Sequence, residues 1–354
     1  MFILPFLLLY TVIVVYAERK LAAFIQDRLG PMEVGYYGIL QTVADLIKLL
    51  QKEDLVPAGA NRLLFKVAPL LIFVPIFLGF SVLPLSATWS SSLSTAAFFL
   101  LAIISLDVIG IVTAGWASNN KYSMLGTMRA VAQIISYEVP MGIAVLCVVV
   151  VAQSLDLQEI STQQGIFNTS VSPMLGIKAL PSVTPNGGFL AWNVFRMPAL
   201  FIAWVIFFIA SLAESNRAPF DLPEAESELV AGYQTEYSGF RWAVMMLAEY
   251  AMMLLVSFAG VILFWGSWNT PLPNLGSWNL AAWTTGQPGT IWVHVWGLFW
   301  LISKTLLMVA LQIWVRWTYP RVRIDQLTTL SWKFLTPIGF ILLLICAAWK
   351  LVLI

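Results

Sequence analysis

The chain has 354 residues, of which 60% are apolar and only 10% are charged, and its formal net charge is +1. Soluble globular proteins carry roughly 25% charged residues, so this composition excludes a large soluble domain and indicates a polytopic membrane protein. The small net charge gives no reason to expect nucleic acid as a partner, and two cysteines with one histidine exclude a disulfide framework, a cysteine-rich metal site and a bis-histidine haem.

Eight apolar runs are long enough to form membrane-spanning helices, which need about 20 mostly apolar residues. The runs are continuous, whereas the strands of a membrane barrel would alternate apolar and polar residues. The first run lacks the basic front and the cleavage site of a signal peptide, so we expect it to be a span. The predicted fold is an all-α membrane bundle, with one integral domain over residues 1–354. The runs are 1–17, 67–88, 93–116, 131–152, 197–213, 242–265, 289–315 and 334–354.

The basic residues between the runs predict how the chain is oriented in the membrane. Fifteen Lys and Arg residues fall in four alternate loops, against three on the opposite side. The positive-inside rule therefore places these four loops in the cytoplasm and both termini on the outer, periplasmic side. The segment 153–196 is then a long external loop. The predicted cytoplasmic loops are 18–66, 117–130, 214–241 and 316–333.

An amphipathic helix is predicted within the first cytoplasmic loop, over residues 39–52. Its apolar side chains recur at helical spacing and form one stripe, while polar residues such as Asp45 and Lys48 take the other face. Fourteen residues of helix rise only about 21 Å, which is too short to cross a hydrocarbon core of about 30 Å. We expect this helix to lie in the membrane plane on the cytoplasmic side, either as a packed connector or lining a site that a lipid-like ligand enters.

Apart from Lys350 near the end of the last run, four charged residues lie inside the apolar runs, namely Asp107, Glu138, Glu249 and Lys304. Such residues are costly in a membrane unless they are paired or hydrated, so each is a candidate functional residue, and Lys304 could pair with one of the acids. Glu138 is the strongest candidate. Pro140 lacks a backbone N–H, so it leaves a backbone carbonyl near Glu138 without its helical hydrogen bond. A buried carboxyl group disfavours its anion and can therefore bind and release a proton near neutral pH. A static polar contact between helices is the simpler interpretation of each acid.

The third cytoplasmic loop carries six carboxylates between residues 214 and 236, against two arginines, Arg217 and Arg241. Two prolines break the helix there and predict a stiff loop. If a helix restarts near residue 224, Glu224 and Glu228 share a face, and carboxylates that close are expected to share protons. A solvated acidic loop, favoured by the helix N-terminus, is the simpler alternative.

The first cytoplasmic loop mixes both signs of charge. Its arginines Arg19 and Arg28 could hold a polar headgroup or the carboxylates of a partner protein through paired hydrogen bonds. Ordinary topology-determining charges are the alternative interpretation of the same residues. The single histidine, His294, is assigned a structural role, and no metal site is expected.

Four parts of the cytoplasmic loops form a combination that is more specific than any of them alone. They are Ala17–Lys20 with Arg28–Pro31, Gly115–Tyr122, Glu214–Tyr233 and Arg316–Arg321. The third reads ESNRAPFDLPEAESELVAGY and is the most specific. Together they resemble the H-subunit family of the proton-pumping NADH–quinone oxidoreductase, respiratory complex I, and the resemblance covers nearly the whole chain.

This resemblance implies a subunit that forms the membrane side of the quinone chamber and passes the effect of quinone reduction to the pumping subunits. The first span, the amphipathic helix and the sixth span are expected to frame an entrance from the bilayer. The carboxylates expected to form an acidic proton path, and hence to be the catalytic residues, are Glu138, Glu214, Glu224, Glu226, Glu228 and Glu249. The residues expected in or near the quinone chamber are Arg19, Arg28, Asp45, Arg217, Phe220 and Asp221.

The resemblance also implies a non-redox subunit of a proton-translocating enzyme that binds no cofactor itself. Quinone is the expected substrate, either ubiquinone or menaquinone, while partner subunits bind NADH, FMN and the iron–sulfur clusters. The expected partners are the quinone-site subunits of the peripheral arm, the pumping subunits of the membrane arm and the lipid bilayer. The expected location is the bacterial cytoplasmic (inner) membrane.

Three other interpretations remain open from the sequence. A membrane-bound hydrogenase-type complex uses a similar subunit with a different electron donor, which this chain does not identify. A stand-alone ion transporter would explain the buried acids but not an acidic loop and an amphipathic helix on one side. A structural anchor would leave four ionisable residues at membrane depth without a purpose.

Overall fold

The chain folds into a bundle of helices in the computed structural model, which confirms the predicted all-α membrane architecture. The structure describes residues 3–87, 93–166, 176–177, 186–223, 226–274, 279–286 and 290–353. Within these ranges there is no β-strand, and each of the eight predicted apolar runs contains one main helix.

The α-helices are numbered in chain order. They are α1 Ile3–Ile25, α2 Gln41–Gln51, α3 Arg62–Gly79, α4 Ala96–Ala117, α5 Lys121–Ala152, α6 Leu157–Gln163, α7 Asn193–Arg196, α8 Pro198–Glu214, α9 Glu226–Leu229, α10 Gly239–Phe264, α11 Leu280–Thr285, α12 Ile291–Thr318, α13 Ile324–Thr329 and α14 Thr336–Leu353. The π-helical stretch Leu330–Leu335 joins α13 to α14, so the three segments form one continuous helix. Short 3₁₀ turns lie at Tyr36–Gly38, Phe80–Val82, Phe189–Ala191 and Gly232–Gln234.

Six of the helical segments in the described residues are long and apolar enough to cross a membrane, and two of the predicted spans are shorter. The apolar part of α1 ends where Glu18, Arg19 and Lys20 begin, and α8 has 17 residues. The bundle therefore holds eight apolar helices of unequal length. The six long segments are Arg62–Val82, Ala96–Ala117, Lys121–Ala152, Gly239–Phe264, Ile291–Thr318 and Ile324–Val352.

Helix α5 is longer than its apolar run indicates. It begins at Lys121 rather than at residue 131, because the side-chain oxygen of Asn120 accepts a hydrogen bond from the backbone N–H of Tyr122 at 2.9 Å and caps the helix there. The helix then continues through Pro140 to Ala152. Much of the segment 117–130, which the apolar pattern treats as a loop, is therefore helical, because an apolar run does not include the polar first turns of a helix.

Helices α5 and α10 form the centre of the bundle. Helix α5 packs against α4, α8 and α14, while α10 packs against α3, α8 and α12. Glycines allow the closest approaches: Gly110 of α4 lies against Ile72 of α3, and Gly260 of α10 lies against Phe207 of α8. Helices α5, α8 and α10 pack on one another and α4 packs on α5, so polar side chains of these helices face the same part of the bundle.

Helix α2 confirms the predicted amphipathic helix with slightly narrower bounds. Its polar residue Asp45 faces α1, whereas its apolar stripe is exposed, with Leu50 at 57% and Ile47 at 49% of their full accessible surface. An exposed apolar stripe of this kind fits a surface that lipid or another subunit covers.

Candidate functional site

A buried ion-pair cluster joins four parts of the chain that are far apart in sequence. The carboxylate of Glu18 on α1 accepts hydrogen bonds from Arg217 at 3.1 and 3.2 Å, from the Tyr250 hydroxyl at 2.7 Å and from Arg316. Glu18 and Arg217 are both buried. We call Glu18, Arg217, Tyr250 and Arg316 the ion-pair cluster.

The charges of this cluster are held in place by one another. Burial alone would lower the pKa of Arg217, but the charges of Glu18, Tyr250 and Glu249 and the hydrogen bond with Tyr250 together outweigh burial and keep that pKa raised. The guanidinium also lies 4.3 Å from the centroid of the Tyr250 ring, a cation–π contact. Removing one partner of a buried pair typically costs ~3–5 kcal/mol, because the other charge is left uncompensated. The cluster is therefore a fixed-charge element.

A second ion pair connects α1 to α2. Arg19 donates to Asp45 at 2.5 Å, and Gln41 donates to the other carboxylate oxygen at 3.1 Å. Burial tends to raise the pKa of Asp45, but the hydrogen bonds from Arg19 and Gln41 hold it below the ordinary value of 3.8. This pair fixes α2 against α1 with its apolar stripe outward. Arg28, in contrast, is exposed in the turn after α1.

An open cavity of about 230 Å³ lies where the end of α2 meets the start of α10. Its lining combines apolar, aromatic and polar groups. Because α10 is the sixth apolar helix of the chain, the cavity lies between two of the three elements expected to frame an entrance. The lining residues are Leu49, Lys52, Tyr237, Ser238, Gly239 and Trp242.

Besides Arg217, the segment after α8 carries two more of the expected chamber residues. Phe220 is buried, and its ring lies 5.1 Å from the ring of Tyr137 on α5. Asp221 accepts a hydrogen bond from Arg321 at 3.1 Å. Burial raises the pKa of Asp221, and Arg321 opposes that shift without cancelling it.

Three of the expected acids lie on helices that pack together, and none of them forms an ion pair with a Lys or Arg among the described residues. Glu138 of α5 accepts a hydrogen bond from the Ser105 hydroxyl of α4. Glu214, at the end of α8, is buried, and neither of its carboxyl oxygens has a hydrogen-bond partner in the described part of the chain. Glu249 of α10 accepts from the Tyr233 hydroxyl at 2.9 Å and from Gln234 at 2.5 Å. We call Glu138, Glu214 and Glu249 the unpaired acids.

The other three acids of the expected path are either outside the described residues or exposed. Glu224 lies outside the described residues, and so does the side chain of Glu226, whose backbone begins α9. Glu228 is exposed and pairs with Arg129 at 2.5 Å. The hydrogen bond from Arg129 lowers the pKa of Glu228 and so stabilises its anion, which differs from the expected proton sharing with Glu224.

The cation at membrane depth does not pair with an acid among the described residues, so the pairing considered for Lys304 is wrong there. Its ammonium group donates to the backbone carbonyls of Trp265, Ser267 and Asn269 at 2.9, 3.0 and 2.5 Å. These carbonyls follow the C-terminal end of α10, where a cation is favoured. His294 lies 2.8 Å from the Ser86 hydroxyl, a contact that fits the structural role assigned to it.

Some site residues were missed by sequence reasoning. Glu18, Arg316 and Arg321 lie within the quoted family stretches, yet only their long-range contacts distinguish them from ordinary loop charges. Tyr250 follows Glu249 directly but faces the ion-pair cluster, and Ser105 carries no charge that would draw attention to it. Among the described residues, no group of three or more His, Cys, Asp or Glu side chains is placed to hold a metal ion.

Comparison with known proteins gives consistent results over nearly the whole chain. A family model described as NADH dehydrogenase matches residues 1–347. The NADH-quinone oxidoreductase H-subunit 2 of Cytophaga hutchinsonii is 59% identical and covers 99% of this chain and 97% of its own length. The NADH-quinone oxidoreductase H-subunit of Chlorobium luteolum is 49% identical over 95% of this chain and 84% of its own. The corresponding protein of Chlorobaculum tepidum is 48% identical over 95% and 86%.

Proposed function

The chain belongs to the NADH dehydrogenase family, as an H-subunit of NADH-quinone oxidoreductase, and from this premise we propose that it forms the membrane side of the quinone chamber and couples quinone reduction to proton translocation. Quinone reduction takes up two electrons and two protons. In this proposal the electrons come from an iron–sulfur cluster of a partner subunit, and residues of this chain bind the quinone and hold protons.

The ion-pair cluster, the Arg19–Asp45 pair and the cavity support the proposal that this chain forms part of the quinone chamber. The Arg19–Asp45 pair holds α2 in place, and the cavity of about 230 Å³ opens beside its C-terminal end. An amphipathic quinone could enter there with its tail along the exposed apolar stripe and its headgroup toward the polar groups. Arg217, Phe220 and Asp221 lie on the segment that follows α8, and Arg28 is exposed for contact with a partner subunit.

The unpaired acids support the proton path. Carboxyl groups at membrane depth that lack a cationic partner are stable when neutral or hydrated, so they can exchange protons at little cost. Glu138, Glu214 and Glu249 come from three helices that pack together. Glu224, Glu226 and Glu228 are proposed to extend the path toward the cytoplasmic surface, with Glu228 at its exposed end.

The observation that carries the proposal is the position of Arg217. It is three residues from Glu214, it is locked into the ion-pair cluster, and the charge of Glu249 also acts on it. Beside it, Asn216 accepts a hydrogen bond from Gln133 of α5 at 3.2 Å. A change of charge or hydration at the quinone end of this segment therefore alters the energies of the acids at its other end.

Partners and location follow from the same premise. We propose that the chain assembles with the quinone-site subunits of the peripheral arm and with the pumping subunits of the membrane arm. NADH, FMN and the iron–sulfur clusters then belong to those partners. The chain would cross the bacterial inner membrane several times, with both termini on the periplasmic side, as its distribution of basic residues indicates.

The test is Glu138→Gln in the intact complex in membrane vesicles. The amide cannot carry the proton, so we expect quinone-linked NADH oxidation and proton pumping to fall by roughly 100-fold, the lower end of the effect of a positioned proton-transfer group. NADH oxidation by a soluble artificial acceptor should stay unchanged, because it bypasses the membrane. The matched control is Glu159→Gln, an exposed acid on α6. Normal quinone-linked turnover in the Glu138 variant would contradict the proposal.

A further inference from the structure

Helix α4 places one more acid among the buried carboxyl groups, near the middle of its length. Asp107 is buried, and its Oδ1 atom has no hydrogen-bond partner among the described residues. The sequence around it is an apolar run with no basic residue. A buried polar atom without a partner is costly, so it either binds water or belongs to a group that is neutral.

Among the described residues, the charged groups that act electrostatically on Asp107 are acids. Its charge interacts with those of Glu249 on α10 and Glu214 on α8, and Glu214 interacts with Glu138 on α5. The 3₁₀ turn that packs against α4 contributes Tyr233 and Gln234, both of which donate to Glu249. In the described part of the chain, no Lys or Arg forms an ion pair with any of the four acids.

Asp107 and Glu214 are both buried and act on each other electrostatically, so ionising both at once is costly. Like charges repel strongly where the dielectric constant is low, and each anion would also lose its hydration. Such groups share fewer negative charges than their number, and protons move among them as the surroundings change. The unsatisfied oxygens of Asp107 and Glu214 are the atoms at which buried water would connect them.

We propose that Asp107 is a further member of the proton path, which exchanges a proton with Glu214 and Glu249 through buried water. Helix α4 then contributes two groups to the path, the Ser105 hydroxyl that donates to Glu138 and the carboxyl group of Asp107. The inference rests on the proposed function and extends it from three helices to four. The proton is passed as a proton only, with no electron transfer and no covalent change.

The experiment compares Asp107→Asn with Asp107→Glu in the intact complex in membrane vesicles. The Asn side chain has the same shape but carries no exchangeable carboxyl proton. We expect it to lower quinone-linked proton pumping by roughly tenfold, a smaller effect than the ~100-fold expected at Glu138. The Glu variant should restore most of the pumping with a shifted pH profile. A merely structural role would not predict a changed pH profile in the Glu variant.

Two further variants separate the outcomes. If Asp107→Asn pumps normally while Glu214→Gln is impaired, the inference about Asp107 is overturned and the proposed function stands. If both variants pump normally, the proposed function itself fails. If the Asn variant does not assemble, Asp107→Glu decides the matter: a pH profile identical to that of the unmodified complex overturns the inference, and a shifted one supports it. Thr113→Val, a change at a half-buried residue of α4, controls for general effects on the helix.

Discussion

The ion-pair cluster and the unpaired acids are two groups of carboxylates within the bundle whose surroundings differ. In the cluster, Glu18 meets two arginines and a tyrosine hydroxyl, so its charge is fixed. Among the unpaired acids, Glu214 has no partner at all in the described residues, and Glu138 and Glu249 have only neutral donors. The comparison teaches that one region fixes its charges through paired groups, whereas the other lacks such pairs and therefore suits the proton exchange that we propose.

The largest effect is expected where a fixed charge is removed. Replacing Glu18 with Gln leaves Arg217 and Arg316 without their shared anion, at a cost of about 3–5 kcal/mol, typical of a broken buried pair. We expect less assembled complex and a lower unfolding temperature, measured on membranes from cells with equal expression. Asp325→Asn, an exposed acid in the first turn of α13, is the control. Normal assembly and stability of the Glu18 variant would show that the cluster is not a fixed-charge element.

The next effect sharpens the contrast between the two regions. Glu214→Gln should leave assembly and the unfolding temperature intact, because a neutral amide replaces a carboxyl group that no cation stabilises. Proton pumping should nevertheless be lost, while turnover with a soluble acceptor remains. Thermal unfolding and pumping are measured on the same preparation. If the Glu214 variant were as unstable as the Glu18 variant, the two regions would not differ in kind.

A smaller effect is expected at the Arg19–Asp45 pair, which is partly exposed. Asp45→Asn should loosen α2 by about 0.5–1 kcal/mol, the range of solvent-screened pairs, and raise the KM for quinone more than it changes kcat. Hydrogen exchange in α2 reports the loosening. The folded protein lowers the pKa of Asp45 below its ordinary value of 3.8. The pair therefore stabilises α2 fully at pH values above 3.8, and this contribution is lost as the pH falls through the lowered pKa. An Asn variant with the same exchange rates at neutral pH would contradict this.

The smallest effect is expected at the surface. Glu228 is exposed and paired with Arg129, so Glu228→Gln should change stability within experimental error and reduce pumping less than Glu214→Gln does. The measurement is the pumping rate at low and at high salt, since salt screens such a pair. A loss as large as that of the Glu214 variant would mean that the exposed end of the path limits turnover.

The sequence predicts the elements of this fold better than their contacts. Continuous apolar runs identify the helices, and the spacing of apolar residues identifies α2, because both are local patterns. The polar start of α5 is not part of an apolar run, so only the cap at Asn120 reveals it. The candidate acids are visible as charges at membrane depth, which are few and conspicuous.

The pairing of those charges could not be predicted in the same way. Glu18 and Arg217 are 199 residues apart, and nothing local indicates that they meet. Lys304 is equally conspicuous in sequence, yet it binds backbone carbonyls, which have no sequence signature. Which acids are fixed and which are unpaired is therefore decided by tertiary packing.

The most direct test of the central claim is an infrared difference spectrum of the intact complex, recorded as quinone is reduced. Carbonyl bands of protonated carboxyl groups should change in the unmodified complex, and Glu214→Gln should remove part of that change. Asp325→Asn should leave it intact. If the difference bands were identical in the Glu214 variant and the unmodified complex, the unpaired acids would not exchange protons during the reaction, and the account would be wrong.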